Sequence, residues 1–272
     1  MTTATLTRGA ARAVPGYGFR SAAQMEWLKL RTVRSTAWTG AVFAACLIGL
    51  AILALGHLHY ASMSAADRAI FDPVEMGFAG LAVGQLAFGV LGALVITTEF
   101  SSGMIRATLA AVPRRPLLLA AKAAVLGAVT LAVGEVLAFG AFAAGEAVLQ
   151  SPAPHATLGQ PGVLRAVLMA GAYPALIALM ALGLGAVIRH TAGAISAVVG
   201  ILFVLPLILL PLSTSIQNSV GQFMPMLIAE NSLTAVKPVA HSLAPGAGLA
   251  VMCGYAVIAL AAGGWALARR DA

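Results

Sequence analysis

EFSSGMIRATLAAVPRRPLLLAAK, residues 99–122, separates two long apolar segments of the chain and is rich in charged residues. Those residues are Glu99, Arg106, Arg114, Arg115 and Lys122. Because only 9% of the chain is charged, this concentration indicates a segment that lies outside lipid. All of its charges except Glu99 are basic, and loops rich in Lys and Arg lie on the cytoplasmic side of a membrane. The stretch therefore predicts a cytoplasmic segment between two membrane-spanning helices.

The composition of the whole chain is that of a membrane protein. It has 272 residues, of which 60% are hydrophobic, and its mean hydropathy is +0.95. A soluble domain is about 45–50% apolar and about 25% charged. Apolar runs of about 20 residues recur along the chain, and each is long enough to cross the hydrocarbon core. We predict an all-α membrane protein that spans the bilayer several times.

The apolar runs predict six transmembrane helices. Residues 1–21 are predicted to form a disordered cytoplasmic tail, and residues 22–272 a single transmembrane domain. In the second run, Gly80 and Gly84 have the spacing that permits a close approach of another helix. The predicted spans are about 37–56, 76–98, 117–145, 165–188, 192–212 and 246–268.

The distribution of basic residues predicts the orientation of these spans. With six spans, all of the 16 Lys and Arg residues except Arg68, Arg165 and Lys237 lie on one side. That side is expected to be the cytoplasm, together with both ends of the chain. The net charge of +7 is thus explained by topology and by contact with anionic lipid head groups, and it does not indicate a nucleic-acid partner.

The segment before the first span, Ala22–Arg34, is predicted to be a helix on the membrane surface. Arg20, Arg31 and Arg34 fall on one side of such a helix, but Lys29 falls among the apolar positions. The separation of polar and apolar faces is therefore incomplete. Ordinary basic flanking sequence remains an equal alternative to a dedicated interfacial helix.

The loop between the second and third spans contains the signals for a short helix. Ser101 and Ser102 are expected to start that helix, and Gly103 to bend the backbone away from the second span. Pro113 and Pro116 would end it before the third span. Such a helix could transmit a push from a soluble partner to both spans, but a solvated basic loop is an equal alternative.

Motifs for catalysis and metal binding are absent from the sequence. A phosphate-binding loop ends in Gly-Lys-Ser or Gly-Lys-Thr, whereas Lys29, Lys122 and Lys237 are followed by Leu, Ala and Pro. HExxH and Gly-x-Ser-x-Gly motifs are also missing, so we predict no enzymatic activity, no cofactor and no metal site in this chain.

Glu135 is the one acidic residue predicted to lie deep inside a span. A carboxylate at that depth should face protein or a water-filled cavity. It is therefore a candidate for lining a transport path, although packing against a neighbouring Ser or Thr is an alternative. Proton-driven carriers usually contain more ionisable residues inside their spans.

Two segments of the sequence resemble the permease subunits of ABC-2 type transporters, especially those of actinobacteria. The first is Glu26-Trp-Leu-Lys-Leu-Arg-Thr-Val-Arg-Ser35, before the first span. The second is Glu99-Phe-x-x-Gly103-x-x-Arg106-x-x-Leu109-x-x-x-Pro113-x-Arg115, followed by Lys122. The family often has Thr after the glycine, where this chain has Met104.

This resemblance implies a fold with an N-terminal interfacial helix, six spans, and a cytoplasmic coupling helix between spans 2 and 3. It also implies external re-entrant helices within residues 223–243. The interfacial helix would contain Glu26, Trp27, Lys29, Arg31 and Arg34. The residues that would couple the chain to an ATPase are Glu99, Phe100, Gly103, Arg106, Leu109, Pro113 and Arg115.

The function implied by the resemblance is that of the membrane subunit of an ATP-driven exporter in a bacterial plasma membrane. Its partners would be a separate ATPase subunit, which binds ATP and Mg²⁺, and a second permease subunit, identical or different. The alternatives are a secondary carrier or channel that acts alone, and a membrane anchor or assembly protein without transport. The cargo is not indicated by the sequence.

Overall fold

The computed structural model describes residues 18–112, 114–235 and 242–269, and within these ranges the chain is helical without β-strands. The helices in chain order are α1 (Phe19–Thr32), α2 (Arg34–Gly56), α3 (Ala65–Ile70), α4 (Pro73–Gly77), α5 (Leu81–Ser101), α6 (Met104–Ala111), α7 (Arg115–Val148), α8 (Val163–Ile188), α9 (Thr191–Val199), α10 (Leu205–Leu209), α11 (Thr214–Gly221), α12 (Pro225–Leu233) and α13 (Pro245–Arg269).

Six segments of the described chain are long and apolar enough to cross a membrane, as the sequence predicts. Five are the single helices α2, α5, α7, α8 and α13. The other, Thr191–Leu209, consists of α9 and α10 joined by a π-helical turn at Gly200–Val204. The chain is thus an all-α, multi-pass membrane protein.

The second span begins at Leu81, five residues later than predicted, because the chain forms a separate short helix first. The Asp72 side chain accepts hydrogen bonds from the backbone N–H groups of Val74 and Glu75, and Pro73 occupies the first turn. An acidic cap followed by proline favours a helix start at this point. The result is α4, which ends at Gly77 before the turn into α5.

Gly80 and Gly84 allow the close approach of α2, as their spacing predicts. A Cβ atom on Gly80 would lie 2.2 Å from the backbone oxygen of Cys46. A Cβ atom on Gly84 would lie 3.1 Å from Cδ2 of Phe43. Larger side chains at these positions would force the two helices apart.

The N-terminal helix differs from its predicted bounds at both ends. It begins at Phe19, so residues 19–21, predicted to be part of the tail, are helical. It ends at Thr32, and Val33 is extended, so Arg34 is the first residue of α2 instead of the last residue of the surface helix. The remainder of the predicted tail, residues 1–17, lies outside the described residues.

Helix α8 lies at the centre of the bundle and packs against α5, α7 and α13. Its inner positions carry small residues, so neighbouring backbones come close. A Cβ atom on Gly92 of α5 would lie 2.0 Å from the Ala178 backbone oxygen, and one on Gly183 would lie 2.3 Å from the Ala259 carbonyl carbon. Helices α2, α9 and α10 are more peripheral and expose much of their apolar surface.

Between the fifth and sixth spans, the chain forms two short helices, α11 and α12. The predicted end of the fifth span near residue 212 agrees with the end of α10 at Leu209. Helix α12 buries Ile228 and Leu233 against the bundle, which gives structure to part of the predicted external segment 223–243. Residues 236–241 of that segment lie outside the described residues.

Candidate functional site

A buried cluster of four charged side chains joins three helices at one end of the bundle. Its members are Glu26 and Lys29 of α1, Glu99 of α5 and Lys122 of α7. The Lys122 ammonium donates to Oε2 of Glu26 at 2.7 Å and to Oε1 of Glu99 at 2.6 Å. The Lys29 ammonium donates to Oε1 of Glu26 at 3.0 Å and to Oε1 of Glu99 at 2.7 Å.

The helix positions of these residues explain why they meet. Ala22, Glu26 and Leu30 recur every four residues along α1 and form its buried face. Glu99 is in the last turn of α5, and Lys122 is two turns inside α7, so both reach that face. The side chain of Lys122 is fully buried, those of Glu26 and Glu99 are nearly so, and that of Lys29 is 28% exposed.

The cluster contains two carboxylates and two ammonium groups, so its formal charges cancel. Removing ions from water is costly, and the attraction within a buried cluster offsets that cost only when each charge has close partners. Each ammonium here contacts both carboxylates. Among the described residues, Oε2 of Glu99 has no hydrogen-bond partner, although Oε1 of the same residue accepts from both lysines.

The pKa of Lys29 indicates that this residue remains charged at physiological pH. Burial alone would lower the pKa, but hydrogen bonds and the charges of Glu99 and Glu26 outweigh burial and raise it above 10.5. A raised lysine pKa stabilises the folded state below the unfolded-state value, and this stabilisation is lost as the pH rises through the folded-state value. The contribution of Lys29 is therefore complete at neutral pH and is lost only under strongly alkaline conditions.

The predicted short helix between spans 2 and 3 is present as α6. Gly103 precedes it with a φ of 71°, a left-handed conformation that glycine adopts without strain. Ser101 and Ser102, which were predicted to start α6, lie at the end of α5, and Gly103 is the N-cap of α6. The hydroxyl groups of Ser101 and Ser102 donate to the backbone oxygen of Thr98, on the last turn of α5. The Ser102 hydroxyl also accepts a 3.5 Å hydrogen bond from the backbone N–H of Met104, the first residue of α6.

Helix α6 has one buried and one exposed face. Ile105 and Thr108 are buried, and Leu109 is half-buried. Ile105 belongs to a small apolar cluster with Ala22 of α1 and with Leu118 and Ala121 of α7. The opposite face exposes Met104, Arg106, Ala107, Ala110 and Ala111 to solvent.

The other predicted coupling residues have different surroundings. The guanidinium carbon of Arg189, in the turn between α8 and α9, lies 5.1 Å from the centre of the Phe100 ring. Nη1 of Arg115 donates to the backbone oxygen of Leu267 at 2.8 Å, which places the start of α7 and the end of α13 at the same end of the bundle. Pro113 lies outside the described residues.

In α1, only two of the residues predicted for the interfacial helix reach the cluster. Glu26 and Lys29 point towards the bundle, whereas Trp27 and Arg31 are exposed. Arg34 is also exposed, at the start of α2. The position of Lys29 among apolar residues was the sequence signal for its inward contact.

Glu135 of α7 lies against α8. A Cβ atom on the facing residue, Gly171, would lie 2.6 Å from the Glu135 carboxyl carbon. Among the described residues, Oε2 of Glu135 has no hydrogen-bond partner. The role of Glu135 in lining a path stays a prediction.

Sequence reasoning did not find the cluster as such. It treated Glu99 and Lys122 as charges of a loop outside the membrane, whereas both are buried near the ends of spanning helices. The available signal was the occurrence of Glu99 and Lys122 within helical sequence at the two ends of the loop, with opposite charges. Among the described residues, no group of three His, Cys, Asp or Glu side chains is arranged to hold a metal ion.

The buried cluster and α6 both lie in the part of the chain that matches a protein-family model. A family model described as "ABC-2 family transporter protein" matches residues 22–206, more than half of the chain. The match includes α1 from residue 22 onward, the whole of α6, and all four residues of the buried cluster. No curated protein sequence matches the chain.

Proposed function

Since this chain belongs to the ABC-2 family of transporter proteins, we propose that it is the membrane subunit of an ATP-driven exporter. It would act with a separate ATPase subunit, which binds ATP and Mg²⁺, and with a second membrane subunit. Its place would be a bacterial plasma membrane, with α1, α6 and the end of α13 on the cytoplasmic side. The 272 residues contain no phosphate-binding loop, which is consistent with this division of labour.

The observation that carries the proposal is the position of α6. Its exposed face offers Arg106 to a soluble partner, while Ile105 on its buried face packs beside α1 and α7. The buried four-charge cluster connects the same two helices to α5. A movement imposed on α6 by an ATPase would therefore reach three helices through direct contacts.

The packing of α6 favours transmission over local bending. Protein interiors are close-packed and deform little, so a displaced helix moves its neighbours. The cluster adds a polar constraint, because separating α1, α5 and α7 would expose unpaired charges in an apolar environment. Closure of the ATPase would then move these helices together as one unit.

The test is purification of the tagged protein from its native membrane, with identification of the accompanying chains and an assay of ATP hydrolysis. We expect a stoichiometric ATPase with the unaltered protein. Arg106→Glu reverses one exposed charge on α6 and should lower ATPase recovery by about tenfold, which corresponds to about 1.4 kcal/mol. Transport should fall in parallel.

Arg269→Glu is the matched control, because Arg269 is exposed at the same end of the bundle but belongs to α13. It should leave ATPase recovery unchanged. Equal recovery with Arg106→Glu and with the unaltered protein would contradict the role of α6. Purification without any ATPase would instead favour a secondary carrier or a membrane anchor.

A further inference from the structure

The end of the bundle opposite the charged cluster contains an open cavity of about 690 Å³. Gln85, at its base, and Glu99, in the cluster, are 14 positions apart on α5, so about 21 Å of helix separates the two sites. The cavity is bounded by α3, α4, the first turns of α5, the middle of α8, and α12. It is thus well separated from α6.

The walls of this cavity are mainly apolar and include both rigid and adaptable side chains. Phe71 and Phe78 contribute aromatic surface. Met63, Met76 and Met226 also line it. Methionine side chains adjust to ligands of different shape, and apolar pockets with a few polar groups are typical of small-molecule sites.

The polar groups at the base of the cavity bind one another. The Tyr173 hydroxyl donates to Oε1 of Gln85 at 2.7 Å, and Nε2 of Gln85 donates to the Ala82 backbone oxygen at 2.8 Å. Both side chains are almost completely buried. A ligand at this depth therefore meets an aromatic ring and polar groups that already have hydrogen-bond partners. These surroundings favour a ligand whose buried part is apolar.

The charged residues around the cavity are acidic. Asp67, Asp72, Glu75 and Glu230 line it, and within the described chain no Lys or Arg does so. Asp72 is held by hydrogen bonds to Val74 and Glu75 at the start of α4 and to the Ala235 backbone N–H group. A cleft with one sign of charge and low-dielectric walls concentrates ions of the opposite charge.

Glu75 is the acidic residue most affected by this environment. It is half-buried in α4. Burial raises its pKa above 4.5, and the nearby charges of Asp72 and Glu230 raise it further. The ionised carboxylate is thus short of compensating positive charge, and a bound cation would supply it.

We propose that this cavity binds a lipophilic cation, with its apolar body against the aromatic and methionine side chains and its charge near Glu75 and Glu230. Only the identification of this ligand as the transported cargo rests on the proposed exporter function. Binding itself is a property of this chain. Neutral and anionic molecules of the same shape would lack the attraction of the acidic residues.

The experiment compares two probes of equal shape and opposite charge, tetraphenylphosphonium and tetraphenylborate. Their equilibrium binding is measured on the full-length protein in phosphatidylcholine nanodiscs, after subtraction of binding to empty discs. We expect saturable binding of tetraphenylphosphonium and at least about tenfold weaker binding of tetraphenylborate.

Three variants locate the site. Glu75→Gln combined with Glu230→Gln should weaken tetraphenylphosphonium binding by about tenfold or more. Ala82→Phe should abolish it by filling the cavity. Glu146→Gln is the matched control, because Glu146 is an acidic residue near the same end that does not line the cavity and contacts His155.

Equal affinity for the two probes, or unchanged binding of tetraphenylphosphonium after removal of Glu75 and Glu230, would overturn the proposal. The exporter proposal is tested separately by ATPase recovery. Cation binding without an ATPase would support the cavity and contradict the exporter. A recovered ATPase without cation binding would do the opposite.

Discussion

At the scale of single residues, Lys122 has the largest energetic role in the site. Its ammonium is fully buried inside a spanning helix and contacts a carboxylate from each of two other helices. A buried ammonium without a partner would be strongly unfavourable, and so would two carboxylates left with one cation. The charges of the cluster are therefore interdependent, and their effects on stability should not be additive.

Lys122→Met should destabilise the protein by about 3–5 kcal/mol, because Glu26 and Glu99 would then share only the partly exposed Lys29. Combining it with Glu99→Gln should restore most of this loss, since one carboxylate and one ammonium remain. Thermal unfolding in detergent measures both effects. Arg20→Met removes an exposed charge from α1 and should change stability by less than about 0.5 kcal/mol.

If the double variant were as unstable as the sum of the two single variants, the cluster would not act as a coupled unit. The four side chains would then contribute through independent packing. That result would also weaken the mechanical link between α1, α5 and α7.

At the scale of secondary-structure elements, the turn at Gly103 sets the direction of α6. The chain leaves α5 at Ser101, passes through the left-handed glycine, and re-enters a helix at Met104. A Cβ atom on Gly103 would contact nothing within 4 Å. The restriction to glycine is therefore one of backbone conformation and not of space.

Gly103→Ala should destabilise the protein by about 1 kcal/mol, the cost of the left-handed conformation for a residue with a Cβ atom. It should also reduce coupled transport, because α6 would shift relative to its buried contacts. Gly254→Ala, a helical position in α13 with equally open space, is the control. That change should be neutral or stabilising, since alanine has the higher helix propensity.

Comparison of the predicted helices with the observed ones shows which features can be predicted from local sequence. Six apolar runs gave six spans, because a span needs length and hydrophobicity and both are local properties. The separate helix α4 was missed because its last two residues, Met76 and Gly77, continue without a charge into the apolar run of the second span. The inward direction of Lys122 depends on α1 and α5, which are distant in sequence, so the local pattern around it gave only a basic flank.

At the scale of the whole molecule, the bundle is built around α8. Gly92 of α5 lies where α5 passes close to α8. Gly183 of α8 lies where α13 passes close to α8. Contact between backbones leaves little room for sliding, so α5, α8 and α13 form a compact core. The peripheral spans α2 and α9–α10 are held by fewer buried residues.

Gly92→Ala should destabilise this core by about 1–3 kcal/mol, because the added methyl group would meet the backbone of Ala178 and push α5 from α8. Gly49→Ala, in the peripheral α2, places a methyl group in open space and should not destabilise the protein. The unfolding temperatures of the two variants provide the comparison. Equal values would contradict the close approach at Ala178.

The cancelling charges of the buried cluster have an electrical consequence. A unit charge that crosses a membrane potential of 100 mV changes energy by about 2.3 kcal/mol. The cluster has two positive and two negative members, so a movement of all four together carries no net current through the field. If the proposed exporter carries a cation, that cargo leaves the cell against an inside-negative potential, and its charge adds to the voltage sensitivity of transport.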